Sequence, residues 1–121
     1  MTTISILKKG QSYSLEAKGH ATTTSEEDDG DGVKVCAAVS MLTSTLALSL
    51  EMVPGIDVGG VHVDTGDGYT KVSARGQGPV KTLFQSAYCG AIALQITHPD
   101  RVTVQADKFF QKFSGSLDAF S

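Results

Sequence analysis

The stretch TISILKKGQSYSLEAK, residues 3–18, sets the first constraint on the fold. Ile4 and Ile6 alternate with polar residues, and Tyr13, Leu15 and Ala17 do the same beyond Gly10. Alternation at a period of two gathers apolar side chains on one face of a strand. The glycine turn between the runs folds them into a hairpin. A hairpin with one apolar face is at best marginally stable alone in water, so later parts of the chain have to cover it.

Two segments have the right pattern. Val39, Leu42, Leu46, Ala47 and Leu50 recur at helical spacing and predict a helix from about Cys36 to Met52, stopped by Pro54-Gly55. Small residues (Ala37, Ala38, Ser40) crowd its first turn. Pro79 suits the opening of a second helix, with Val80, Leu83, Phe84, Ala87, Ala91 and Leu94 as its apolar stripe and Thr97-His98-Pro99 as its end. Between the helices, Val61 and Val63 and then Tyr69 to Ser73 predict two strands joined at Thr65-Gly66-Asp67-Gly68, with Gly59-Gly60 as a bulge. Arg101 to Gln105 reads as a last strand, with Val102 and Val104 on one face.

The order is β-β-α-β-β-α-β. It predicts a single α+β domain over residues 1–106, two helices packed on a mixed, mostly antiparallel sheet. Residues 107–121 form a tail holding Phe109, Phe110, Phe113 and Phe120. The spacing of the first three predicts a short helical turn, packing on the body or at a dimer interface.

A chain of 121 residues can bury a core without disulfides, and two cysteines, Cys36 and Cys89, read as free thiols. No cysteine–histidine cluster suggests a metal, and no cofactor motif is present. No stretch reads as a membrane span and the N-terminus does not read as a secretory leader, which predicts a cytoplasmic protein. The net charge of −3 is unevenly distributed. Glu26, Glu27, Asp28, Asp29 and Asp31 fall in one short run with Gly30 and Gly32, while the rest of the chain carries more bases than acids. Nothing resembles the basic stripe that nucleic acid binding requires. Residues 21–34 read as a mobile acidic loop, of a length often tied to function.

That loop joins a histidine to a cysteine. His20 leaves the second strand and Cys36 enters the first helix, so the two ends can meet. A cysteine in a first helical turn sits beside free N–H groups and the positive end of the helix dipole, both of which favour a thiolate. A nearby imidazole supplies a general base. The N–H groups of Cys36 and Ala37 are candidate oxyanion donors. Ser40, four residues on, shares a helical face with Cys36 and could steady the thiolate or position the histidine. Each residue also has a plainer role. Cys36 can be a small core side chain, His20 can cap a turn, and Ser40 can bond its own helix backbone. Cys89 reads as core, His62 as a residue of the exposed sheet face, and His98 as a complement to a helix end. The residues alone leave both readings open.

Gly19-His20-Ala21, followed after the loop by Val35-Cys36-Ala37-Ala38-Val39-Ser40, resembles the ribosomal-processing cysteine protease family of bacteria, Prp. Leu83 to Leu94 and Arg101 to Gln105 extend the resemblance over most of the chain. It implies a small homodimeric cysteine endopeptidase, with Cys36 and His20 as its dyad, that removes the N-terminal extension of a large-subunit ribosomal protein. It implies no cofactor, and a loop that orders over the substrate, here Glu26, Glu27, Asp28, Asp29, Gly30 and Gly32. The family's usual aspartate three residues before the cysteine is replaced by Val33, and Asp31 is the neighbouring carboxylate. The alternatives are a non-catalytic homologue that binds the same segment, or a structural dimerisation module.

Overall fold

A computed structural model describes residues 1–19 and 30–111. The first two strands, β1 (Thr2–Lys9) and β2 (Ser12–Lys18), form the expected hairpin. The first helix, α1, runs Asp31–Met52. A single 3₁₀ turn at Val58–Gly60 precedes β3 (His62–Gly66) and β4 (Tyr69–Arg75). Then come α2 (Pro79–Thr97), β5 (Val102–Ala106) and the one-turn α3 (Lys108–Gln111). The sheet has five strands in the order β3-β4-β2-β1-β5. Only the β1–β5 pairing is parallel, so the fold is the predicted α+β domain with a mixed, mostly antiparallel sheet.

The apolar alternation becomes the core. Ile4, Ile6, Tyr13, Leu15, Ala17, Val72 and Ala74 are all buried. The helices cover that face, α1 over β4 and β2, and α2 over β2 and β5. On α1 the buried side is Gly32, Val35, Val39, Thr43, Leu46 and Leu50, steps of three and four. The helices touch where Gly90 faces Leu42: a Cβ there would come within 2.7 Å of Leu42 Cδ1. Glycine at this place lets two helices close without displacing a leucine.

Three local expectations need correction. Helix α1 begins at Asp31, not near Cys36. Gly59-Gly60 closes a 3₁₀ turn rather than a bulge, with the Asp57 carboxylate accepting the Gly59 N–H at 3.0 Å. Cys89 is exposed. The buried side of α2 runs Val80, Phe84, Ala87, Tyr88, Ala91 and Ile92, and at 3.6 residues per turn that stripe leaves position 89 on the outer face. In addition, α1 is long and apolar enough by composition to cross a membrane, which the absence of an uninterrupted apolar run had concealed. Here its inner side is built into the domain core.

The start of the tail packs on the body. Phe110 is fully buried, in ring contact with Tyr13 and Tyr88, and Phe109 meets both Tyr13 and Phe110 edge-on. The Asp107 carboxylate accepts the Lys8 N–H at 2.7 Å and fastens the segment to β1. Phe113 and Phe120 lie outside the described residues.

Candidate active site

Cys36 lies on the second turn of α1, half-buried. It flanks the core stripe formed by Val35 and Val39, so its side chain sits at the edge of the helix rather than beneath it. There it lines a cavity of about 220 Å³. Ser40 and Thr43 continue the same wall at steps of four and three, and Thr2 and Ala17 close it from β1 and β2. The wall opposite the helix is the β3–β4 turn, Gly66, Gly68, Tyr69 and Thr70, together with Gly19.

Glycine backbone therefore makes much of the facing wall. A Cβ on Gly66 would meet nothing within 4 Å, so that side is open to an incoming chain. Gly19 is constrained in the opposite way. Its φ is +98°, and a Cβ would run into the carbonyl oxygen of Met1. Its N–H donates to the Gly68 carbonyl at 2.8 Å, and its own carbonyl accepts from the Thr2 hydroxyl at 3.4 Å. The end of β2 is thus pinned to the β3–β4 turn on the rim of the cavity that Cys36 lines.

The site candidates divide accordingly. Cys36 and Ser40 both line the cavity. Among the described residues the Ser40 hydroxyl makes no hydrogen bond, to Cys36 or to its own helix. The polar group spent on backbone is Thr43, whose hydroxyl donates to the Val39 and Ser40 carbonyls, each at 3.1 Å. Asp31 opens α1 as the acid of its first turn, a favourable place for a carboxylate against the helix dipole. Val33 projects outward, 63% exposed. Gly30 adopts the left-handed conformation that caps the helix, and Gly32 is buried. His20, Glu26, Glu27, Asp28 and Asp29 lie outside the described residues.

The early start of α1 changes the electrostatics expected at Cys36. The backbone ladder already begins with Lys34 N–H donating to Gly30 at 3.1 Å. The N–H groups of Cys36 and Ala37 therefore lie inside the helix and are spent on its own carbonyls. Neither is free to receive an oxyanion, and the first-turn argument for a thiolate at Cys36 falls with it. On the opposite wall, Tyr69 turns its hydroxyl to Glu16 at 3.5 Å. Burial first, and then the Glu16 and Asp64 carboxylates, hold that phenol above its usual range, so it stays protonated. Among the described residues no cluster of three or more acids, histidines and cysteines is placed to hold a metal.

Composition did not point to the cavity's glycine walls. The signal was present in Gly19 at the end of a strand and in the Gly66-Asp67-Gly68 turn, both places where backbone must come close or turn sharply.

The Cys36 thiol thus stands on a helix edge and lines a cleft walled in large part by glycine backbone, on a two-layer α+β scaffold. The chain belongs to the cysteine protease Prp family, whose model matches residues 1–103. Among solved structures it is similar to SMU.848 from Streptococcus mutans, at 26% identity and a TM-score of 0.64, with 88% of this chain and 93% of that one covered. It is also similar to the essential ribosomal processing protease Prp from S. aureus in complex with a covalently linked product peptide, at 12% identity and a TM-score of 0.70. A complex of that protease with a substrate peptide gives 11% and 0.67. Both of these cover 88% of this chain and 100% of the other, and at such identities the likeness is one of fold. No curated protein sequence matches the chain.

Proposed function

We propose that this protein is a cysteine endopeptidase that removes the N-terminal extension of a large-subunit ribosomal protein in the cytoplasm, with Cys36 as nucleophile and His20 as its general base. The observation that carries this reading is the placement of Gly19. Gly19, the residue bonded directly to His20, lines the same cavity as Cys36, which supports a dyad formed by these two residues.

The chemistry then runs in two steps. His20 takes the thiol proton as Cys36 Sγ attacks the scissile carbonyl carbon. The tetrahedral intermediate collapses, the C–N bond breaks, and His20 hands its proton to the departing amine. A thioester to Cys36 remains. Water attacks it with His20 again taking the proton, the C–S bond breaks, and the carboxylate product leaves a free thiol. With the Ala37 N–H engaged in the helix, the Ser40 hydroxyl is the donor we assign to the developing oxyanion or the thiolate.

Two further elements belong to this reading. The acidic residues Glu26, Glu27, Asp28 and Asp29 steer a basic ribosomal segment, since a run of negative charge raises the local concentration of a cationic ligand. The homodimer that the family resemblance implies has an apolar surface to use: Val33, Met41, Leu48 and Met52 on the outer side of α1 are 63%, 67%, 56% and 77% exposed.

The test is to incubate the protein with the host's extended ribosomal protein and read the new N-terminus by mass spectrometry. Cleavage by the wild type and none by Cys36→Ala or His20→Ala, both folded, is the expected result. Cleavage retained in Cys36→Ala rejects the mechanism. Tight binding of the segment with no cut favours the non-catalytic alternative.

A further inference from the structure

We propose that a second cavity, at the opposite end of the central hairpin from Cys36, is a binding site for a small phosphate-bearing ligand. It has a volume of about 540 Å³ and lies between the β1–β2 turn, the Gly76–Gly78 segment leading into α2, and Phe109. That volume falls in the range of small-molecule pockets, roughly 300–1,000 Å³. Thr2 lines the Cys36 cavity and Lys8 lines this one. They stand near opposite ends of β1, about 20 Å apart at the rise of a strand, so the two sites are separate.

The lining selects the charge of the ligand. Lys8 and Lys81 contribute two ammonium groups, Gln11, Gln77 and Gln85 contribute amides, and Thr82 a hydroxyl. Among the described residues no aspartate or glutamate lines the cavity, in a chain whose net charge is −3. Both lysines converge on one ring: Lys8 Nζ is 5.0 Å and Lys81 Nζ 5.7 Å from the Phe109 centroid. Among the described residues neither ammonium has a carboxylate partner. The acid that anchors this segment, Asp107, is spent on backbone, accepting the N–H groups of Lys8 at 2.7 Å and Phe109 at 3.1 Å.

Holding two like charges against one aromatic ring is unfavourable, and each cation–π contact returns only about 0.5–1 kcal/mol at an exposed position. An anion between the lysines turns repulsion into two charge-assisted hydrogen bonds. Two unit charges suit a dianion, which a phosphate monoester supplies at neutral pH because its second pKa is about 6. Phe109 also lies beyond residue 103, where the family match ends. One wall of the cavity is therefore added by this chain's C-terminal segment, apart from the fold that carries the Cys36 cleft.

The test is a titration of the ¹⁵N-labelled full-length protein with inorganic phosphate at fixed ionic strength, followed by NMR, with succinate as a dicarboxylate control. Saturable shifts confined to the amides of Lys8, Gln77, Lys81 and Thr82 are expected, with weaker or no response to succinate. Lys81 is exposed, so Lys81→Ala probes charge without disturbing the core. It should weaken binding about tenfold, the loss of one charge-assisted contact, while Lys81→Arg keeps most of the affinity and neither variant alters peptide cleavage. Shifts that never saturate, that spread over lysines elsewhere, or that persist unchanged in Lys81→Ala overturn the proposal.

Discussion

Gly19 and Gly68 are joined by a backbone hydrogen bond of 2.8 Å across the rim of the cysteine cleft. That bond is where the end of the first hairpin meets the turn of the second, and it sets where the chain departs toward His20. Gly19→Ala tests it. The left-handed φ of +98° penalises any side chain, and the new Cβ would also strike the Met1 carbonyl. Strain of this kind costs about 1–3 kcal/mol. We expect a lower Tm by thermal denaturation together with a loss of cleavage larger than the stability loss explains, because the anchor of His20 moves.

Ser40 is the polar side chain one turn beyond Cys36 on the cavity wall. Its hydroxyl has no structural bond to lose among the described residues, so Ser40→Ala should leave stability within about 0.5 kcal/mol of wild type. If it stabilises charge in the transition state, kcat should fall about a hundredfold with KM little changed. Steady-state kinetics beside a melting curve distinguish this from a passive surface serine, for which kcat would not move.

How far the sequence revealed the molecule is clearest at α1. Its C-terminal end was legible from Pro54-Gly55, and its buried stripe from Val39, Leu46 and Leu50. Its start was not, because Asp31-Gly32-Val33-Lys34 has the composition of a loop. Asp31 is favoured there by the helix dipole, and Gly32 becomes a buried position in the folded chain, terms that composition does not display. Cys89 was misread for a related reason. Its neighbours Ala87 and Ala91 are buried, but a helix turns about 100° per residue, and apolar neighbours in sequence do not make a residue inward-facing. Cys36 and Ser40 were legible as a pair from their spacing of four. The facing wall was not, because it is largely backbone, and glycine carries no side chain to betray the surface it forms.

The acidic run supplies a prediction of its own. Replacing Glu26, Glu27, Asp28 and Asp29 by their amides should raise KM for a basic peptide and flatten its dependence on salt, with kcat nearly unchanged. Exposed charges act over about 10 Å at 0.1 M ionic strength, so the difference from wild type should shrink as salt rises. An unaltered salt profile would count against steering.

The outer side of α1 predicts association. Met41 and Leu48 stand more than half exposed on it, and a joint Met41→Glu and Leu48→Glu variant should lower the mass seen by light scattering from that of two chains to that of one. A wild type that is already monomeric would remove α1 as a dimer surface.

The pairing of Cys36 with His20 is tested most directly by alkylation. Cys89 is exposed and would react as well, so the measurement belongs in a Cys89→Ser background. At about pH 6.5 iodoacetamide should label Cys36 at least about tenfold faster than it labels the same cysteine in a His20→Ala variant, since an imidazole partner raises the thiolate fraction. Equal rates across the pH range in the two proteins would contradict the pairing and, with it, the proteolytic mechanism.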